Sequence, residues 1–140
     1  MKLGVFTVVL GSMPFDTACE YLSKNGVQMV EIGCGGFPGK AHCDPDVLLN
    51  DEDELKKFKE ILEQNQLEIS ALSSHGNMVH PVKEIADKYD DDLTKAILLA
   101  EKLGVPVVNT FSGCPGGSPK DVEPNWVTCA WPDDFQRILD

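Results

Sequence analysis

One four-residue corner occurs twice in this sequence. Lys24–Asn25–Gly26–Val27 and Lys102–Leu103–Gly104–Val105 each join a helix-like stretch, through a glycine, to an apolar β-branched run. They lie 78 positions apart, which is two units of 39. Leu67, the start of a further apolar run, falls 40 after Val27 and 38 before Val105. Glycine just past a helix end is the residue that stops it, so the interval marks a repeating helix-then-strand unit. The chain is a regular βα array.

Four β-rich runs fill the strand positions: Leu3–Leu10, Val27–Gly33, Leu67–Ser73 and Val105–Phe111. Pro106 falls in the first residues of the last, where a missing donor is tolerated. Helical periodicity follows each of the first three. After the first strand, Phe15, Ala18, Cys19 and Leu22 recur on one face. After the second comes an irregular excursion from Phe37 to Asn50, then a helix whose first turn carries Asp51, Glu52, Asp53 and Glu54. Those charges suit the positive end of the helix dipole, and Leu55, Phe58, Ile61 and Leu62 form its apolar stripe. The third helix spans Val82 to Leu103, with Ile85, Tyr89, Leu93, Ile97, Ala100 and Leu103 on its inner side.

Each link contains a helix, so consecutive strands should run parallel through right-handed crossovers. Two architectures satisfy that: a doubly wound open sheet and a (β/α)8 barrel. The turn Gly11–Ser12–Met13–Pro14 after the first strand holds neither a dinucleotide nor a P-loop fingerprint, which favours the barrel. A complete barrel needs about 250 residues. With 140, the chain has room for four parallel strands, three helices and the start of a fourth at Phe135–Asp140. The expectation is α/β, with residues 1–140 forming one partial TIM-barrel domain, the N-terminal half.

Composition narrows the function classes. Twelve basic against 23 acidic residues leave a net charge of −11, which argues against binding a phosphate backbone. Val5–Leu10 is broken by Gly11 and is far too short to span a bilayer. Met1–Lys2–Leu3 lacks the form of a secretory leader, so the expected location is cytoplasmic. Cys19, Cys34, Cys43, Cys114 and Cys129 are odd in number and contain no C-x-x-C pair, and read as reduced thiols.

In a parallel α/β protein the reacting groups gather at the C-terminal ends of the strands. Those ends hold Thr7–Val9, Glu31–Cys34, Ser73–Asn77 and Asn109–Gly113. Glu31 is a carboxylate between Val30 and Ile32. Pointing inward it is costly unless paired and implies function; pointing outward it meets a helix lysine. His75, followed by Gly76 and Asn77, is placed to touch a substrate hydroxyl or a metal, or else to satisfy loop carbonyls. His80 reads as a loop-ordering residue. His42–Cys43–Asp44 gathers three ligand types at a spacing that matches no zinc rule. Gly113–Ser118 offers backbone N–H groups to an anion, or a flexible lid. Cys34 has no adjacent base to activate it. Trp126 and Trp131 cover a pocket or pack on further parts of a barrel.

The run from Glu68 to Gly117, with EISALSSHGNMVHP and LAEKLGVPVVNTFSGCPGG, resembles strands three and four of the xylose-isomerase-like TIM barrels. Val30–Glu31–Ile32–Gly33 and the acidic start of the second helix fit the same pattern. That superfamily includes sugar-phosphate isomerases and epimerases, inosose dehydratases and apurinic endonucleases. The resemblance implies a sugar or sugar-phosphate isomerase or epimerase, working by metal-assisted proton transfer next to a carbonyl. It also implies a divalent metal (Mn, Mg, Co or Zn) held on strands five to eight. The catalytic residues are therefore expected outside this chain, and no metal ligands or bound metal are assigned to it alone. Substrate contacts fall to His75, Glu31, Phe111 and Asn77. Phe111 stands where the endonuclease branch carries a second zinc-binding histidine, which together with the acidic charge disfavours DNA repair. The expected partner is a small sugar or polyol, with neither nucleic acid nor membrane. A competing reading is a non-catalytic half-barrel that pairs with itself or a complementary chain through its open sheet edges.

Overall fold

The structure, a computed structural model, describes residues 1–125. Its elements run β1 (Gly4–Phe6), α1 (Phe15–Lys24), β2 (Met29–Gly36), α2 (Pro45–Leu48), α3 (Glu52–Gln64), β3 (Glu68–His75), α4 (Lys83–Leu103) and β4 (Val108–Asn109). All four strands form one sheet in the order β1-β2-β3-β4, and every pairing is parallel. This is half of a TIM-barrel architecture. The expected start of a fourth helix, and both tryptophans, lie outside the described residues.

Strand alternation assigns the two faces. Val30, Ile32 and Cys34 of β2 and Leu72 of β3 are wholly buried and share one core with Leu22 of α1, Leu55, Phe58 and Leu62 of α3 and Ala96 and Leu99 of α4. The intervening side chains, Glu31 and Ser73 among them, face the opposite side. Phe15 of α1 stacks on Phe58 of α3 with centroids 4.7 Å apart, locking the first two long helices together. Helix α3 begins as its acidic turn predicts: Asp51 caps it by accepting from the N–H groups of Asp53 and Glu54. Gly104 ends α4 at φ 71°, a left-handed position that suits glycine. The repeated corner is built alike at both sites, since Val27 N–H donates to Leu22 O and Val105 N–H to Ala100 O.

Four local expectations change. The first strand is only three residues long, because Thr7–Leu10 winds into a 3-10 turn closed by Gly11 N–H donating to Val8 O. Among the described residues β1 is paired on one side only, and this stretch has no second neighbour to hold it extended. The fourth strand shrinks to Val108–Asn109 for the same reason, with β3 its one partner among the described residues. The excursion contains a short helix, α2, started by Pro45 and capped by the Asp44 side chain. The buried stripe of α4 is also shifted: Asp92, Ala96, Leu99 and Ala100 are buried, while Ile97 is about half exposed.

Candidate functional site

One face of the sheet carries a polar triplet built by three strands, with Glu31 inside β2 and not at its end as the sequence suggests. Glu31 sits in β2, Ser73 in β3 and Asn109 in β4. Ser73 pairs with Gly33 and with Asn109 in the two ladders, so Ser73 and Asn109 share one level, one same-face step beyond Glu31, whose own ladder partner is Ala71. Ser73 Oγ donates to Glu31 Oε1, and Asn109 Nδ2 donates to the same oxygen at 3.0 Å. Glu31 thus points to the open face and takes neutral donors, with no lysine against it. Hydrogen bonds from two donors to one oxygen fix the orientation of the carboxylate.

Beside it stands an aromatic wall. The His75 ring stacks on Phe111, centroids 4.4 Å apart and 15° from parallel, and meets Phe6 edge-on at 6.2 Å. Phe37 adds a tilted contact to Phe111 and another to Tyr89 of α4. Partial burial among these rings pushes the His75 pKa below its ordinary value, against the opposing pull of Glu31. The imidazole is therefore neutral near pH 7 and able to donate from one nitrogen and accept at the other. Phe111 is 39% exposed and offers an apolar surface at the mouth.

Asn77 belongs to the C-terminal edge of the sheet but is buried. Its Nδ2 donates to Cys114 O at 2.8 Å, and its Oδ1 accepts from Cys114 N–H at 2.9 Å. It clamps the loop after β4 and so places Phe111 nearby. His80 orders its own loop, its Nδ1 accepting from Val82 N–H. His42 is buried against Phe15, and its Nε2 donates to Met13 O at 2.9 Å. The glycine-rich loop is already filled: Gly117 and Ser118 N–H groups both donate to the Asp121 carboxylate. Burial pushes the Cys34 thiol up to about 12, far from a nucleophile. Among the described residues, no three His, Cys, Asp or Glu side chains converge as a metal-ligand group.

Two features escape a reading of the sequence. Ser73 and Asn109 are ordinary strand residues until the register brings them over Glu31. The loop after β2 is held by an ion pair between Lys40 and the buried Asp92 of α4, whose other oxygen accepts from Gly36 N–H at 3.2 Å. Fifty-two positions separate that pair, and no motif links them.

Comparison with known proteins agrees with this fold. The chain is 35% identical over 141 aligned residues to an uncharacterised protein, YfiH, of Bacillus subtilis (strain 168), covering 99% of this chain and 45% of that protein. Its fold matches the crystal structure of the probable 3-DHS dehydratase AsbF, involved in petrobactin synthesis, from Bacillus anthracis. There the TM-score is 0.57 at 19% identity, over 81% of this chain and 39% of that one. The chain thus spans less than half the length of these relatives. The family model for the xylose isomerase-like TIM barrel matches residues 19–140, nearly the whole chain, and to that family the protein belongs.

Proposed function

We propose that this chain supplies half of the active-site mouth of an enzyme that isomerises, epimerises or dehydrates a sugar or polyol. The observation that carries the reading is the Glu31 carboxylate, fixed by Ser73 and Asn109 on the open sheet face beside the His75–Phe111 wall. A fixed acceptor next to a flat apolar surface suits a sugar, which presents hydroxyl donors at its rim and C–H groups on its face. Membership of a family that includes isomerases and dehydratases of sugars supports the same reading, as does a neighbouring fold described as a probable dehydratase.

The residues described do not by themselves hold the divalent metal of the family, since no three ligands converge. No step is routed through it. Within this half, Glu31 receives a hydroxyl and fixes its position, and the neutral His75 hydrogen-bonds a neighbouring oxygen. Phe111 and Phe37 keep water from that side of the ligand. The groups that move the proton beside the carbonyl belong to the other half of such a barrel.

Saturation-transfer magnetic resonance on the 140-residue chain tests this against a panel of pentoses, hexoses and inositols, with nucleotides and an abasic oligodeoxynucleotide as controls. Saturable binding of sugars or polyols, weakened about tenfold in Glu31→Ala, is expected for the loss of one charge-assisted hydrogen bond. Binding of the oligodeoxynucleotide without any sugar would put the DNA-repair reading in its place.

A further inference from the structure

Glu31 is held by one oxygen only. Oε1 takes both Ser73 and Asn109, whereas Oε2 has no protein partner among the described residues. Neither donor carries a positive charge to offset the carboxylate, and Oε2 keeps free acceptor lone pairs. A hydroxyl donor satisfies such an oxygen; a phosphate or carboxylate placed there is repelled.

The surroundings do not reverse that sign. His75 is neutral near pH 7 for the reason given above. Lys40, in the loop that follows β2, is spent on Asp46 at 2.8 Å and Asp92 at 3.1 Å. The loop N–H groups at Gly117 and Ser118, which would otherwise attract an anion, already hold Asp121.

Resting on the reading that this face takes a sugar or polyol, we propose that the part of the ligand lying over β2 and β3 is uncharged and polyhydroxylated. It donates a hydroxyl to Glu31 Oε2 and lays its C–H face on the His75–Phe111 pair. An anionic substituent on that part is rejected.

The test compares myo-inositol with myo-inositol monophosphate, titrated into the isotope-labelled 140-residue chain at neutral pH. The Asn109 side-chain amide and the His75 ring serve as reporters. The neutral polyol is expected to shift both saturably, and the monophosphate to bind at least about tenfold more weakly, the scale of one like-charge contact at a partly solvated site. Glu31→Gln removes the charge while keeping the shape, and brings the two affinities together. Equal or tighter binding of the monophosphate to the wild-type chain overturns the inference and leaves the sugar reading standing. So does an affinity ratio that Glu31→Gln leaves unchanged. If neither compound moves the reporters, the sugar reading falls and the inference with it.

Discussion

Lys40 Nζ lies 3.1 Å from Asp92 Oδ1, joining the loop after β2 to the middle of α4. Asp92 is 5% exposed and also receives the Gly36 N–H and Lys88. Removing the carboxylate leaves that backbone donor short of a partner and frees the loop that leads away from Glu31. Asp92→Ala is expected to cost about 2 kcal/mol, below the range for a fully buried pair because both lysines reach solvent. Urea denaturation of the variant measures it, and an unchanged midpoint would show that the pair is ornamental.

Acid should loosen the same region. Asp46 is held down to about 2 by its hydrogen bonds to Lys40 and Lys95. Burial pushes Asp92 up, but Lys40, the Gly36 N–H and Lys88 together outweigh it and hold its pKa below the ordinary value. A depressed carboxylate contributes stability that is complete above its unfolded pKa near 3.8 and is lost as pH falls through the folded value. Stability measured by denaturant should therefore fall from about pH 4 towards pH 2, with a shallower slope in Asp46→Asn.

Gly36 is fixed by its neighbour across the ladder. At φ 62°, a Cβ there would sit 1.8 Å from the His75 carbonyl oxygen. Backbone cannot yield as a side-chain tip can, so β2 and β3 would have to part at the site. Gly36→Ala should lose about 2–4 kcal/mol and disturb the His75–Phe111 stacking. Thermal unfolding and the His75 ring shifts would report both effects.

His75 should titrate below its ordinary value of 6.5. Glu31 opposes that shift, so Glu31→Gln should lower the midpoint further. Because the folded group binds its proton less readily than the unfolded one, its effect on stability is lost as pH falls below 6.5. Following the imidazole Cε1 proton against pH in both proteins decides the sign, and a midpoint that rises in the variant would contradict the placement of Glu31.

Thr7 gives a prediction of the opposite kind. It is 1% exposed, and among the described residues its Oγ1 finds no hydrogen-bond partner. It borders a cavity of about 20 Å³ with Gly11, Gly33, Pro38 and His42. Val has the same shape without the hydroxyl. Thr7→Val should change stability by less than about 1 kcal/mol or raise it, whereas a loss above about 2 kcal/mol would mean the hydroxyl is satisfied through solvent.

The array, its parallel direction and its strand order were legible because glycine-closed helix ends and apolar runs act locally and repeat. The ends of the edge strands were not. Whether Thr7–Leu10 extends depends on a second neighbour, which lies outside the run itself. The α4 face was misjudged because apolar size suggested Ile97 inward, while the ion pair to Lys40 draws Asp92 in. Glu31 and His75 stood out as polar groups in apolar strands. Their fixing partners did not, since Ser73 and Asn109 gain meaning only from the register.

The loop after β4 carries its own anion. Asp121 is tethered four residues from Gly117, so it faces those N–H groups at an effective concentration of at least about millimolar. A phosphate from solution would have to outcompete a resident that never diffuses away. The loop in that sense carries its own counter-ion, and its N–H groups are closed to outside anions while Asp121 stays in place.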